Sequence, residues 1–443
     1  MSLAALYARL PISMQELALT VVNQGVLWKK FGPALLPWRS KEPLERLSEV
    51  QAKQRLEEFL GAARESIPAY RILPKPSGAS VEELLGNLPL QSKADFKARA
   101  AEFIDPKANV LNSVGFKTSG STGSPLRGRI ARADLRHRFL NLLAWYRELG
   151  LDANMRWARF GGMDLLGNHP VTRPDRIDWL RHHQFLSVYH ISASTVESYY
   201  EALLRNRTEV LEGYPSSLST LARLILESGL KPLRLRGVIT TAETLSREQS
   251  QWMERAFGVA PVEYYGSNEM SPLLVGRPGG GLELVSGTGL VELLDEDDRP
   301  VRELGELGRM VVTSFDSHAM PLIRYEIGDL AEYESGGVHD LRVRRIVGRI
   351  DEVVRGPDGR EIGRLSTALK HLPDSVAEAQ IIVRNDSFRL VYVAPVNLDE
   401  QALAPFFKHM LDKVGDVPLT FERVAEIPAG PRGKRPAVLV QRD

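Results

Sequence analysis

Between residues 131 and 262 the apolar residues change their spacing repeatedly, and this constrains the fold more than any other feature of the chain. From 131 to 150 they keep helical spacing. Beyond that, helical segments alternate with short apolar runs such as Gly237-Val238-Ile239-Thr240 and Val259-Ala260-Pro261-Val262. A surface helix repeats its apolar positions about every 3.6 residues, whereas a strand buried on both faces is a short unbroken run. Alternation of the two predicts an α/β architecture with ligand-binding residues on loops at strand ends. No regular internal repeat is present, and dense glycines after 281 argue against a long helical array.

The first hundred residues read as mainly helical, with Leu47, Val50, Leu56 and Leu60 near helical spacing. Pro68 and the run Pro74-Lys75-Pro76-Ser77-Gly78 interrupt that reading. Trp28, Trp38 and Phe59 are expected as packing residues. From about Gly281 the chain becomes strand-rich: 290–294 and 308–313 read as strands, the first followed by an acidic turn at 295–298. A boundary is expected near Gly348-Arg349-Ile350-Asp351. After it come a Gly-Pro-Asp-Gly turn, a helix around 365–372, strands at 381–383 and 390–394, a helix over 402–414 and a last strand at 437–440. The expected organisation is a mainly helical part (1–100), an α/β core (101–348) and a small α+β domain (349–443).

Charge excludes some functions. The 57 Lys plus Arg nearly balance 56 Asp plus Glu, so no global basic field recruits nucleic acid. Cysteine is absent, which removes disulfides, thiolate catalysis and cysteine-ligated metals. The N-terminus lacks a secretory pattern, and no apolar run reaches about 18 residues. A cytoplasmic protein without an integral membrane segment is expected, with peripheral attachment through an amphipathic segment left open.

The sharpest local feature is Thr118-Ser119-Gly120-Ser121-Thr122-Gly123-Ser124-Pro125. Glycines let a backbone approach a ligand closely, and hydroxyls with exposed amides can surround phosphate oxygens. A plain Ser/Gly surface loop is the competing reading. The run is neither a Walker A loop nor a Rossmann fingerprint. Further along stand Glu263-Tyr264-Tyr265-Gly266-Ser267-Asn268-Glu269, then Tyr325-Glu326-Ile327-Gly328-Asp329-Leu330, Gly348-Arg349-Ile350-Asp351 and Gly433-Lys434. Together they offer a planar ring, a carboxylate suited to magnesium, a carboxylate for ribose hydroxyls, a cation and a late lysine. Attack of a carboxylate on the α-phosphorus of ATP needs such groups to offset charge and fix in-line geometry.

This ordered set resembles the adenylate-forming superfamily, especially its phenylacetate–coenzyme A ligase and capsule-biosynthesis-associated branch. Leu211-Glu212-Gly213-Tyr214-Pro215-Ser216-Ser217 and Thr240-Thr241-Ala242-Glu243-Thr244-Leu245 add to the resemblance, which spans about 114 to the C-terminus. It implies an adenylate-forming fold: a layered large N-terminal body and a small mobile α+β C-terminal domain. It further implies that Thr118, Ser119, Gly120, Ser121, Thr122 and Gly123 touch ATP phosphates. Ala242, Glu243, Tyr265, Gly266, Ser267, Asp329 and Arg349 would line the nucleotide site. Within that group Tyr265 would lie on or beside adenine, Asp329 at the ribose, and Arg349 at the ribose or phosphates. Glu269 would help bind magnesium, Asp351 would be the hinge, and Lys434 would enter the adenylation site from the lid. Ser124 departs from the lysine that many such loops carry, and Asn268 from the common Ser/Thr.

The implied activity is ATP-dependent conversion of a carboxylic acid to an acyl-adenylate, followed by transfer to coenzyme A. A carrier-protein thiol, an amine or hydroxyl acceptor, and a nucleotide-binding regulator without catalysis are the alternatives. For the acyl pocket Trp157, Phe160, Met163, Tyr189, Tyr214 and Met270 are candidates, chiefly Tyr189, Tyr214 and Met270. At least half of these read equally as core. His182 and His183 do not by themselves make a metal site.

Overall fold

The computed structural model of the chain describes residue 7 and residues 10–32, 40–75, 77–117, 126–161, 173–188, 190–349, 354–355, 361–362, 365–373, 375–376, 378–384, 387–414, 417–425, 427 and 438–441. Its N-terminal part is helical, as the spacing predicts. The helix Ile12–Phe31 comes first, then Glu49–Ser66, which begins at a capping box: the Ser48 hydroxyl accepts from the Gln51 amide while the Gln51 side chain accepts from the Ser48 amide. Phe59 is buried as expected. Trp28 is not: it is 63% exposed, because its helix presents that face to solvent. Trp38 lies outside the described residues.

An antiparallel hairpin, β1 (Ser113–Lys117) with β2 (Arg127–Ala131), brackets the serine/glycine run, which itself lies outside the described residues. The helix Arg132–Glu148 follows at once. Then comes a twelve-stranded sheet. Its first half comprises β3 (Trp157–Gly161), β4 (Asp175–Asp178), β5 (His183–Ser187), β6 (Val210–Gly213), β7 (Gly237–Thr241) and β8 (Val262–Tyr265). Strands β5, β3, β6, β7 and β8 run parallel in that spatial order, with β4 antiparallel at the edge. Its second half is antiparallel: β9 (Leu274–Gly276), β10 (Leu282–Leu284), β11 (Gly289–Leu294), β12 (Leu307–Ser314), β13 (Tyr325–Ser335) and β14 (Arg342–Arg349), in spatial order β9, β10, β14, β13, β12, β11. The runs predicted at 237–240, 290–294 and 308–313 are therefore strands. Only Val262 of the run 259–262 enters one.

Helices cover the parallel half on both faces, which is why its strands read as unbroken apolar runs. Helices Val196–Arg205, Pro215–Glu227 and Arg247–Phe257 pack on one face around Phe160, Leu211, Leu221 and Val238. Arg132–Glu148 covers the other face around Trp145, Trp157, Val210 and Ile239. The antiparallel half instead packs against the N-terminal helices, where Leu56, Phe59, Ile67 and Tyr70 meet Leu290, Val312, Ile323 and Tyr325.

After residue 349 a separate small core forms. β17 (Glu378–Arg384) and β18 (Ser387–Val393) pair antiparallel, flanked by β19 (Leu419–Arg423) and β20 (Val438–Gln441), while β15 (Val354–Arg355) and β16 (Glu361–Ile362) make a short hairpin before them. The helix Glu400–Val414 buries Leu403, Phe406 and Met410 against this sheet. The segment read as a helix at 365–372 is a tighter 3₁₀ helix, Leu365–His371.

Candidate functional site

A parallel strand ends by pointing its last carbonyls and the following loop at one edge of the sheet, so ligand groups gather there. β7 ends at Thr241 and is followed by Ala242 in a left-handed conformation, φ 67°. A residue with a Cβ pays about 1–2 kcal/mol to sit there, a strain that recurs at functional sites. The Thr241 hydroxyl donates to the Tyr264 carbonyl at 3.1 Å, and Thr244 donates to the Ile346 carbonyl at 3.0 Å. The end of β7 is thereby tied to β8 and to β14.

β8 ends at Tyr265, and the chain turns sharply. The Met270 amide donates to the Ser267 carbonyl at 3.2 Å, the Ser271 amide donates to the Ser267 hydroxyl at 3.1 Å, and Met270 closes the turn at φ 65°. This turn holds the Glu269 carboxylate inward, at 7% exposure. A Cβ at Gly266 would meet the Arg138 guanidinium, which would have to shift to admit it. Arg138, from the helix Arg132–Glu148, donates to the Ser271 carbonyl, and burial lowers its pKa from the usual guanidinium value.

Asp329 arrives from the antiparallel half. Four strand steps separate β13 from β8, about 19 Å in a flat sheet. Yet the Tyr265 hydroxyl donates to Asp329 Oδ2 at 2.7 Å. The antiparallel half must therefore bend back over the end of β8. Gly328 at φ 84° and a register shift after Leu330 supply the bend. Burial pushes the Tyr265 hydroxyl well above its usual pKa, with the Asp329 charge adding to the effect. A neutral phenol donating to a carboxylate is the stable form.

Lys93 completes the cluster. Its Nζ lies 3.2 Å from Glu269 Oε1, with 20% of the side chain exposed. Nothing local in the sequence marks it. It is delivered by tertiary structure: Gln91 forms a bridge beside Tyr325, its amide donating to the Arg324 carbonyl at 2.9 Å and its carbonyl accepting from the Glu326 amide at 2.8 Å. The Tyr70 hydroxyl, 2.9 Å from Gln91 Oε1, clamps the segment from beneath.

The neighbouring polar groups are paired. His137 bridges Asp316 at 2.6 Å and Glu45 at 2.7 Å, and those hydrogen bonds raise its pKa to about 10. On the sheet face under Arg132–Glu148, Arg159 of β3 and Glu212 of β6 form a 3.3 Å ion pair beside Tyr146 and Tyr264. Trp157 and Phe160 are core residues, at 1% and 2% exposure. A cavity between Glu82, Glu292, Pro300 and Arg324 shares none of the predicted site residues.

No family model matches the chain. It is 25% identical to Protein CapK of Staphylococcus aureus over 461 aligned residues, covering 97% of each chain. It is 25% identical to a phenylacetate–coenzyme A ligase of Thermus thermophilus over 404 residues, 84% of this chain and 85% of that one. A solved structure of 2-hydroxyisobutyryl-CoA ligase in the postadenylation state matches with a TM-score of 0.59 at 19% identity, covering 89% of this chain and 90% of that one. The chain shares the fold of this ligase, and over most of its length its sequence is similar to CapK and to phenylacetate–coenzyme A ligase.

The structure brings together Tyr265, Gly266, Ser267, Glu269 and Asp329, with Ala242 and Glu243 at the adjacent strand end. The Ser267 hydroxyl accepts from the Ser271 amide within its own turn, and Met270, at 4% exposure, is buried with its carbonyl accepting from Ser314. Tyr214 is half-buried and precedes the helix Pro215–Glu227, at the end of β6. Arg349 is placed by its backbone, opposite Asp329 in the β13–β14 ladder. Thr118, Ser119, Gly120, Ser121, Thr122, Gly123, Met163, Tyr189, Asp351 and Lys434 lie outside the described residues. Sequence reasoning missed Lys93 and Arg138; a cation shortly after a glycine-rich loop was the available hint for the second.

Proposed function

We propose that the chain activates a carboxylic acid with ATP, forming an acyl-adenylate and pyrophosphate, and then transfers the acyl group to the thiol of coenzyme A. The observation that carries this reading is the meeting of Tyr265 and Asp329 across the bent sheet, with Glu269 at the same strand end. The relatives named coenzyme A ligases, and a solved 2-hydroxyisobutyryl-CoA ligase in the thioesterification state with coenzyme A, support the reaction type.

In the first half-reaction a carboxylate oxygen of the acid forms a bond to the α-phosphorus, and the bond from that phosphorus to the pyrophosphate oxygen breaks. Asp329 is suited to accept hydrogen bonds from both ribose hydroxyls, held in place by the Tyr265 phenol. The Tyr265 ring would border the adenine. Among the described residues no group of three metal-ligating side chains occurs. Glu269 alone still fits magnesium, which usually takes one or two carboxylates plus substrate phosphates. The ion would offset charge on the phosphates. Lys93 neutralises Glu269 until then and is positioned to turn toward phosphate oxygens. The loop 118–125, Arg349, a hinge at Asp351 and Lys434 as the adenylation lysine are part of the same proposal. So is a lid beginning near 349. In the second half-reaction the thiol sulfur attacks the acyl carbon and AMP leaves.

Acid-dependent exchange of labelled pyrophosphate into ATP, followed by mass measurement of products with and without coenzyme A, tests both halves. Exchange with a thioester product is expected. Exchange without a thioester would move the acceptor to a carrier thiol, amine or hydroxyl. ATP binding without exchange across a broad acid panel would make the chain a nucleotide-binding regulator.

A further inference from the structure

The helix Ile12–Phe31 buries polar Gln15 and Glu16 beside Leu19 and Phe31 and leaves an apolar face outward. An ordinary surface helix buries its apolar stripe and shows its polar face to water. Here the polar residues turn inward. Glu16 accepts from Arg173 at 2.6 Å and from the Trp179 indole at 3.1 Å, Gln15 accepts from Arg176 at 2.5 Å, Thr20 accepts from the Trp179 amide at 3.0 Å, and Asn23 donates to Asp178 at 3.1 Å. The outer face carries Met14, Leu17, Val21 and Trp28, which are 51%, 49%, 63% and 63% exposed and spaced by three, four and seven residues along one side. Val22 and Val26 flank them. Glu16 is the only ionisable residue from Ile12 to Trp28, and it is buried.

The apolar surface continues beyond the helix. Trp179 and Leu180, both exposed, adjoin its middle, and Arg132 joins its end to exposed Val110 by donating to the Trp28 and Val110 carbonyls at 3.2 and 3.0 Å. At that same end Lys29 and Lys30 are exposed.

We propose that this outer face is a membrane-surface contact that seats the protein on an anionic bilayer. Three features select a lipid surface. Aliphatic side chains can enter the headgroup–acyl boundary to a depth of about 5–10 Å without any change in the protein body. The indoles of Trp28 and Trp179 are amphipathic rings of the kind that settle at that boundary. Lys29 and Lys30 supply the positive charge that anionic headgroups attract, while the face itself carries no acidic side chain to oppose it. A second copy of the chain is a poorer fit. A helix of 20 residues is roughly 30 Å long and 10 Å wide, so its exposed face is on the order of 300 Å², below the ~800 Å² per partner of a stable interface. Among the described residues no helix is long and apolar enough to cross a membrane, so the contact lies in the plane of the surface.

Flotation of the full-length protein with phosphatidylcholine vesicles, with and without phosphatidylglycerol, tests the proposal. The protein is expected to float with the anionic vesicles and to show a blue-shifted tryptophan emission that Trp28→Phe diminishes. Leu17→Glu with Val21→Glu, both at exposed positions, should lower vesicle partitioning at least about tenfold while leaving the circular dichroism unchanged. Lys29→Glu with Lys30→Glu should remove the phosphatidylglycerol dependence. Failure of the wild type to float, or equal flotation of Leu17→Glu/Val21→Glu, would overturn the proposal. So would a vesicle-independent dimer abolished by that same pair, which would give the face to a second copy.

Discussion

The ion pair between Lys93 and Glu269 gives a quantitative handle on the site before any substrate binds. At 3.2 Å and an effective dielectric of about 20, the attraction is about 5 kcal/mol. Removing two charges from water offsets much of it, more for Glu269 at 7% exposure than for Lys93 at 20%. A net coupling of about 1–2 kcal/mol should survive. Lys93→Met keeps the stem and removes the charge, leaving Glu269 inward and uncompensated. Glu269→Gln leaves a lysine that can still reach water, so it should cost less.

Urea unfolding of the nucleotide-free wild type, the two single variants and the double variant closes the cycle. The double variant should be more stable than the sum of the single losses requires, by that 1–2 kcal/mol. On the proposed role of Glu269 as a magnesium ligand, Lys93 would compete with the ion for one carboxylate, so Lys93→Met should also bind Mn²⁺ more tightly, by up to about tenfold. Additivity within about 0.5 kcal/mol, together with unchanged Mn²⁺ affinity, would refute the reasoning.

Other consequences follow from the same geometry. Tyr265→Phe removes the donor to Asp329 and should cost about 1.5–3 kcal/mol in urea unfolding, with weaker ATP binding by calorimetry. Arg324→Met should cost about 3 kcal/mol, since it strands the buried Glu292 and frees the Leu88 carbonyl; because Gln91 hangs on the Arg324 backbone, Mn²⁺ affinity should shift as well. His137 has a raised pKa, so its stabilisation is complete below pH 6.5 and disappears as pH rises toward 10; the melting-temperature margin over His137→Gln should shrink across that window. His183 is the opposite case, with burial pulling its pKa down to about 3; its neutral form favours folding above pH 6.5 and penalises it as pH falls from 6.5 toward 3, a penalty that His183→Gln should relieve in acid melts.

What the sequence made legible was set by local chemistry. Strand β7 and the β11–β12 pair announce themselves because buried strands need consecutive apolar residues. The roles of Tyr265, Glu269 and Asp329 at a nucleotide are proposals, and the motifs that carry these residues were visible as an ordered set along the chain. Lys93 was not, because its position comes from Gln91 docking beside Tyr325, a contact across more than two hundred residues. Trp28 was expected to pack and is exposed: an apolar residue type does not by itself report which way its helix face points. Burial of Glu16 against Arg173 and Trp179 decides that, and no local pattern encodes it.

A mixed sheet suits the proposed chemistry. A purely parallel sheet offers loops at one edge, and every group on them approaches a ligand from the same side. Here β8 delivers Tyr265 and Glu269 from that edge, while β13, running antiparallel, delivers Asp329 after a bend at Gly328. The two carboxylates therefore reach their places from elements with independent packing: β13 on the N-terminal helices through Tyr325, β8 beneath the helix Arg132–Glu148 through Tyr264. A small rotation of one half relative to the other would change the Tyr265–Asp329 separation first. That 2.7 Å contact acts as the latch between the halves. If it does, Tyr265→Phe should increase hydrogen exchange at both Tyr265 and Asp329, two positions 64 residues apart in sequence, while leaving the sheet core at Val238 protected. Increased exchange at Tyr265 alone would mean that β13 is held in place by its own packing and that the latch is incidental.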